Sequence, residues 1–277
     1  MLLLLLGPLL LFGALVLRDR ADRQLLLPDL EPAAVAEIEL SHGEESLLLR
    51  KRAGIGPWEI RSAADAPGDA ARIGALLDQL AGLEGRPVDG AAAPEGPPIE
   101  TPAAAPIEVR LADADGRAIA RLAFWNGEAR RLVPEGATAG NPASSPVNGP
   151  LLKLRANPLL PLWPSPWSNL QPPKIDSSRL ARVERITRAG PQPLDDGAAA
   201  GVALILGKLT AVQFVPAFDL DWTGAGMLRL TMRDGTVIDA FQTMDRGGRS
   251  YVRFESATDA EVEAVRRFAF RTAEPLP

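Results

Sequence analysis

Apolar and polar positions alternate along two stretches of the chain, and each stretch is interrupted by one helical stripe. Within 28–40 (PDLEPAAVAEIEL) the chain turns at Glu31-Pro32 and enters a strand through Val35, Ile38 and Leu40. The runs 46–52 (SLLLRKR) and 58–61 (WEIR) read as strands around a Gly-Ile-Gly-Pro turn. Next, 68–83 sets Ile73, Leu76, Leu77, Leu80 and Leu83 at helical spacing, with Asp69 placed as N-cap. Two alternating runs in 107–125 flank Asp115-Gly116, a hairpin signal, and 130–133 adds a further strand.

The same order then returns. An opening strand in 176–188 spaces Val183 and Ile186 as Val35 and Ile38 are spaced. The helix position falls to 201–215, with Val202, Ile205, Leu209 and Val212 on one stripe. A hairpin over 227–244 turns at Asp234-Gly235, and 249–255 follows where 130–133 stood. A turn-rich insert, 189–200, replaces the first half's 46–61 hairpin. The chain closes on a predicted helix, 258–270, opened by the capping box Thr258…Glu261 and burying Val262, Val265 and Phe268 or Ala269. A single duplication accounts for the repeated order.

Two stretches break the pattern. Residues 86–106, rich in Pro and Ala, read as an exposed linker. Within 134–173 the segment LLPLWPSPWSNL (159–170) cannot be a central strand, because its prolines donate no ladder hydrogen bond. It is read as the connection between halves. Leu160, Trp163, Trp167 and Leu170 form its candidate interaction surface. Exposed, they would meet a protein or membrane; buried, Trp163 and Trp167 would pin the connection, each with roughly 2–3 kcal/mol of apolar burial.

The first seventeen residues, MLLLLLGPLLLFGALVL, carry no charge and ten leucines. As a helix they would measure about 25 Å, near the short limit for crossing a hydrocarbon core of roughly 30 Å. Leucines at roughly −0.5 kcal/mol each favour insertion by about 5 kcal/mol, with Pro8 a modest counterweight. The flanks lack a basic leader and a small-residue cleavage site, so an uncleaved anchor is expected rather than a signal peptide. Arg18, Arg20 and Arg23 follow the run, which by the positive-inside tendency would hold the rest of the chain in the cytoplasm.

The predicted fold class is therefore α+β: an N-terminal membrane helix, two similar antiparallel sheet-plus-helix units related by internal duplication, and a C-terminal helix. The predicted divisions are an anchor over 1–24, a first repeat over 25–135, a Pro/Trp-rich connector over 136–175 and a second repeat over 176–277.

Composition changes this picture mainly by exclusion. A chain of 277 residues with no cysteine has no disulfide, thiolate nucleophile or Cys-ligated metal. A formal charge of −5 gives no basic footprint for nucleic acid. The single histidine, His42, lies with Glu44 and Glu45 in a Ser-His-Gly-Glu-Glu turn and is read as a solvated hairpin tip rather than a metal site. Asp195-Asp196 is read as a loop. Asp219 and Asp221 alternate onto one strand face, where paired carboxylates would suit glycan hydrolysis only in a cleft. Gly224 and Gly226 lack the third glycine of a dinucleotide fingerprint. Arg179, Arg182, Arg185 and Arg188 recur every third residue and are read as ordinary surface. No catalytic residue, cofactor or metal site is expected.

Several of these residues together resemble the DUF4340 family, bacterial proteins of unknown function. The resemblance is carried by the hydrophobic N-terminus, L-P-D-L…V-x-x-I over 27–38, Pro57-Trp58, and the helix pattern of 69–83. It extends through the Asp115-Gly116 hairpin, Trp167 in W-S-N-L, and the second V-x-x-I at Val183 and Ile186. The resemblance implies an inner-membrane protein with its folded part in the periplasm, a companion of an ABC-type transport system, and it implies no catalytic residues. The functional expectation is a membrane-tethered, non-catalytic interaction or scaffold module of the envelope, with a membrane contact through 1–17 and a protein partner among ABC transporter components. The alternatives are a lipid or small-ligand binder using the groove between repeats and a carboxylate-dependent glycan hydrolase.

Overall fold

The computed structural model describes residues 23–88, 105–132, 149–209 and 213–277. Its contacts divide the chain into two units, Met1–Ser62 with Asp69–Leu162 and Ala63–Gly68 with Trp163–Pro277.

In the first unit the alternation becomes antiparallel pairing. Strands β1 (Gln24–Leu25), β2 (Glu37–His42), β3 (Glu45–Lys51) and β4 (Trp58–Ile60) precede helix α1 (Ala70–Ala81); β6 (Glu84–Pro87), β7 (Ile107–Ala112), β8 (Ala118–Trp125), β9 (Glu128–Leu132) and β10 (Leu152–Leu154) follow it. The sheet of this unit runs β1-β6-β10-β9-β8-β7-β2-β3-β4; the short strand β5 (Ala66–Pro67) belongs to the second unit. One face of the sheet buries Ile38, Leu40, Leu47, Leu49, Val109, Leu111 and Leu122, each at most 1% exposed. The stripe Ile73, Leu76, Leu77 and Leu80 of α1 is buried as well. Asp69 caps α1, its carboxylate accepting from the backbone N–H groups of Ala71 and Arg72.

The second unit holds β11 (Leu180–Thr187), β12 (Gly190–Pro193), α2 (Asp196–Gly207), β13 (Phe214–Pro216), β14 (Gly226–Met232), β15 (Val237–Met244), β16 (Ser250–Glu255), α3 (Ala260–Val265) and β17 (Phe268–Arg271). Its sheet runs β12-β11-β14-β15-β16-β17-β13. Seven strands of the first sheet, read as β3-β2-β7-β8-β9-β10-β6, follow the same order, and the chain visits them in the same succession with one helix between the second and third strands visited. One hairpin turn also recurs. In Asp113–Arg117 and Asp245–Arg249 the first aspartate accepts from the N–H groups two and four residues on. The fourth position is Gly116 or Gly248, at φ 78° and 75°, where a side chain would be strained.

Several expectations are overturned. The fold is not α+β but mostly antiparallel sheet, with seventeen strands against three α-helices of 12, 12 and 6 residues among the described residues. Two segments read as helix pair as strands instead. The predicted helix over 201–215 is displaced to Asp196–Gly207, because Asp195 caps it through the Ala198 N–H at 2.7 Å, and Phe214–Pro216 becomes edge strand β13. The predicted 258–270 helix stops at Val265, and Phe268–Arg271 inserts between β16 and β13. There Phe268 meets Phe214 edge-on at 5.6 Å, and Phe270 lies 6.4 Å from Phe254.

The expected membrane anchor is corrected as well. Residues 1–17 lie outside the described residues, and among the described residues no helix is long and apolar enough to cross a membrane. The longest, at 12 residues, span about 18 Å against roughly 30 Å of hydrocarbon. Among the described residues, the inner-membrane, single-span placement and the transmembrane assignment therefore have no helix to carry them.

Candidate functional site

In the second unit β13 is an edge strand, whereas β14 lies beside β11, so the connection between them must pass over β17, β16 and β15. Residues 217–225 make this crossing as a strap. On β16, Val252 and Phe254 are fully buried, so alternation sends Arg253 to the opposite face, where the strap runs. Two bonds tie the strap to its surroundings and one closes it on itself. The Thr243 hydroxyl donates to the Asp221 carbonyl at 2.7 Å, the Trp222 indole N–H to the Ala217 carbonyl at 2.6 Å, and the Ala217 N–H to the Arg267 carbonyl at 2.7 Å. A 3-10 turn, Ala217–Asp219, lifts Phe218 away from the surface beneath and leaves it 76% exposed.

Under the strap the Arg253 guanidinium lies 4.7 Å from the Trp222 ring and 4.8 Å from the ring of Phe241, its cross-strand partner. Its Nε is buried with no hydrogen-bond partner, and an Nη lies 3.2 Å from a Glu255 carboxylate oxygen as an ion pair. Two ring faces supply the negative potential that an acceptor would otherwise provide. Beside this stack is an open depression of about 630 Å³, lined by Phe218, Trp222, Arg253, Glu255, Arg266 and Arg267. Ala64 and Asp65, from the 63–68 segment of the same unit, complete it. Both hold left-handed backbone, at φ 54° and 59°, a strain of about 1 kcal/mol each that persists only where surroundings impose it. Arg266 pairs with Glu263 at 2.8 Å, and the Arg267 guanidinium lies 5.7 Å from the Phe268 ring.

The residues singled out by sequence scatter. Leu160, Trp167 and Leu170 are buried, while Trp163 is 60% exposed. Asp219 closes the 3-10 turn and Asp221 accepts from the Thr223 N–H, so the two do not share a strand face. The Thr223 N–H, then its hydroxyl, hold the Asp221 carboxyl below its ordinary range. Asp195 caps α2 and Asp196 lies in its first turn, where the helix dipole favours a carboxylate. His42 Nδ1 is 3.4 Å from the Pro106 carbonyl, and among the described residues no three His, Asp or Glu side chains gather as metal ligands. Arg179 pairs with Asp234 and Arg182 with Glu184, so two of the four arginines in the series are taken up by ion pairs. Glu59, buried at 7% exposure, is bonded by the Arg52 guanidinium.

Sequence reasoning missed Phe218, Trp222, Arg253, Arg266 and Arg267. The alternation of Y-V-R-F-E marks Arg253 as outward-facing, but nothing in the order of residues says that a strap with two aromatics will lie over it. The chain matches no family model, no curated protein and no solved structure. The fold and site by themselves define a two-unit antiparallel sheet protein with an aromatic–arginine depression on its second unit.

Proposed function

We propose that the chain is a non-catalytic protein-binding module whose second unit receives a partner segment carrying an apolar anchor flanked by a carboxylate. The observation that carries this reading is Phe218, three-quarters exposed and held beside the rigid Trp222–Arg253–Phe241 stack. Aromatic and arginine side chains of this kind dominate the energetics of protein interfaces, since they bury much area and lose little rotamer freedom. Arg266 and Arg267 supply bidentate donors for the carboxylate. On the residues that resemble the DUF4340 proteins, the partner is a component of an ABC-type transport assembly.

A small-ligand site fits less well, because such pockets enclose most of their ligand and this depression is open. A carboxylate hydrolase fits less well again, because a general acid needs a raised pKa and that of Asp221 is lowered.

The test places a photo-crosslinking phenylalanine analogue at Phe218 and, as control, at Ile55, which is 90% exposed on the first unit. Specific adducts at 218 that vanish when Arg267→Glu is added are expected. Equal labelling from both positions, or adducts indifferent to Arg267→Glu, would overturn the assignment.

A further inference from the structure

Among the described residues, two buried side-chain nitrogens lack a hydrogen-bond partner, the Nε of Arg253 and the Nε of Arg130. They hold matching places. In strand order β9 of the first sheet corresponds to β16 of the second. Arg130 stands opposite Ala123 as Arg253 stands opposite Phe241, and each follows a fully buried residue, Ala129 or Val252. A buried donor without an acceptor costs free energy, and a chance lapse in packing has no reason to recur at the same place in both units. What the second unit adds is a pair of rings against the guanidinium. They favour the cation but leave the N–H unmet, because a ring face is a weaker partner than a carboxylate.

The cover over Arg253 is lightly fastened. Within 217–225 only Ala217 is buried, while Phe218, Asp219, Asp221, Thr223 and Gly224 are exposed. Past its root, where the Ala217 N–H bonds the Arg267 carbonyl, the strap meets the sheet through the Thr243 hydroxyl and through Trp222 on Arg253. Gly224, at φ 75°, turns the far end in a conformation that glycine adopts without strain. Segments with few buried groups and exposed hydrogen bonds open at low free energy. The depression of about 630 Å³ lies beside this cover, and Arg253 helps to line it.

We propose, on the reading of the depression as a partner site, that the partner's carboxylate takes the Nε–H and an Nη–H of Arg253 in place of the Trp222 ring, so that binding and release of residues 220–225 are one event. A forked, charge-assisted pair satisfies the buried N–H and outweighs the ring contact that it displaces. Arg266 and Arg267 draw the carboxylate into the depression, and Arg253 is the donor whose N–H is unmet. Phe218 keeps its place, because Ala217 stays bonded to the Arg267 carbonyl. The closed strap lowers the affinity of every ligand by the fraction of time it is open, and a carboxylate offsets that loss where a neutral group does not.

The experiment labels the full chain with fluorotryptophan and titrates it with N-acetylphenylalanine, which carries an apolar anchor and a carboxylate, and with its neutral amide. Trp222→Phe assigns the Trp222 signal among the five tryptophans. The acid should bind saturably with a dissociation constant of about 1 mM. It should shift the Trp222 fluorine signal and quicken amide exchange over 220–225; the amide should do neither. Arg253→Lys, which keeps the charge without the fork, should weaken binding about fivefold or more. Thr243→Val removes the hydroxyl bonded to the Asp221 carbonyl and should tighten binding about two- to fivefold, because the strap opens more readily. Should Arg253→Lys misfold by circular dichroism, Thr243→Val decides by itself. Absence of saturable binding, binding with the Trp222 signal and strap exchange unmoved, indifference to Arg253→Lys, or no tightening by Thr243→Val would overturn the inference. Crosslinking from position 218 separates it from the reading beneath it. Adducts that need Arg267 but persist in Arg253→Lys, with the strap unmoved, overturn the inference alone; nonspecific adducts overturn both.

Discussion

The clamp on the strap can be tested by a double-mutant cycle between Arg253 and Trp222. Arg253→Met keeps an unbranched apolar stem and removes the guanidinium with its charge; Trp222→Leu removes the ring. Arg253 is 26% exposed in its side chain, so each ring contact, at 4.7 and 4.8 Å, is worth about 0.5–1 kcal/mol. The pair with Glu255, itself 46% exposed, adds at most about 0.5 kcal/mol. Against these stands the buried Nε without an acceptor, whose removal returns about 1 kcal/mol. Arg253→Met alone should therefore destabilise by only about 0–1.5 kcal/mol, too little to identify the cause. Trp222→Leu should lose more, since the indole bond to the Ala217 carbonyl goes with the ring, at about 1 kcal/mol. The informative quantity is their coupling, which should be about 1 kcal/mol in urea unfolding of the four proteins, above the roughly 0.3–0.5 kcal/mol scatter of independent sites. Amide exchange over 217–225 should quicken in Arg253→Met. A coupling within that scatter, with exchange unchanged, refutes the idea that Arg253 holds the strap that presents Phe218.

Two further outcomes follow from local geometry. Asp195→Ala should destabilise the second unit by about 1 kcal/mol and unravel the start of α2 in amide exchange, because the Asp195 carboxylate satisfies the Ala198 N–H; protection that begins unchanged at Ala198 would show the helix has another cap. The Asp234 carboxyl is drawn down to about 2 from 3.8, first by the Thr236 N–H, then its hydroxyl, then Arg179. A depressed folded pKa stabilises above the unfolded value, so the Asp234 turn should weaken as pH falls from about 4 through 2. Carbon-detected NMR titration should place the midpoint near 2, and Arg179→Gln should move it only part of the way back. Full return to the ordinary value would mean the arginine, not the turn, sets it.

The elements legible in the chain were those whose information is local. Ile73, Leu76, Leu77 and Leu80 describe one face of a helix whatever surrounds them, and Asp69 marks its start. The turns at Asp115-Gly116 and Asp234-Gly235 form because the Asp113 and Asp234 carboxylates each accept from the backbone N–H two residues on and because Gly116 and Gly235 tolerate positive φ. What neighbours decide was not legible. Phe268–Arg271 carries apolar residues compatible with a helix end, and only the open place between β16 and β13 makes it a strand. Asp195 looks like a loop residue until a helix needs its carboxylate.

The candidate site shows the same division. That Arg253 faces outward is contained in the alternation of its own strand. That Trp222 comes to rest on Arg253 depends on a connection forced across three strands because β13 is at an edge. Side-chain periodicity is a property of a few consecutive residues, whereas strand order and register are fixed by which distant segments bury their apolar faces together.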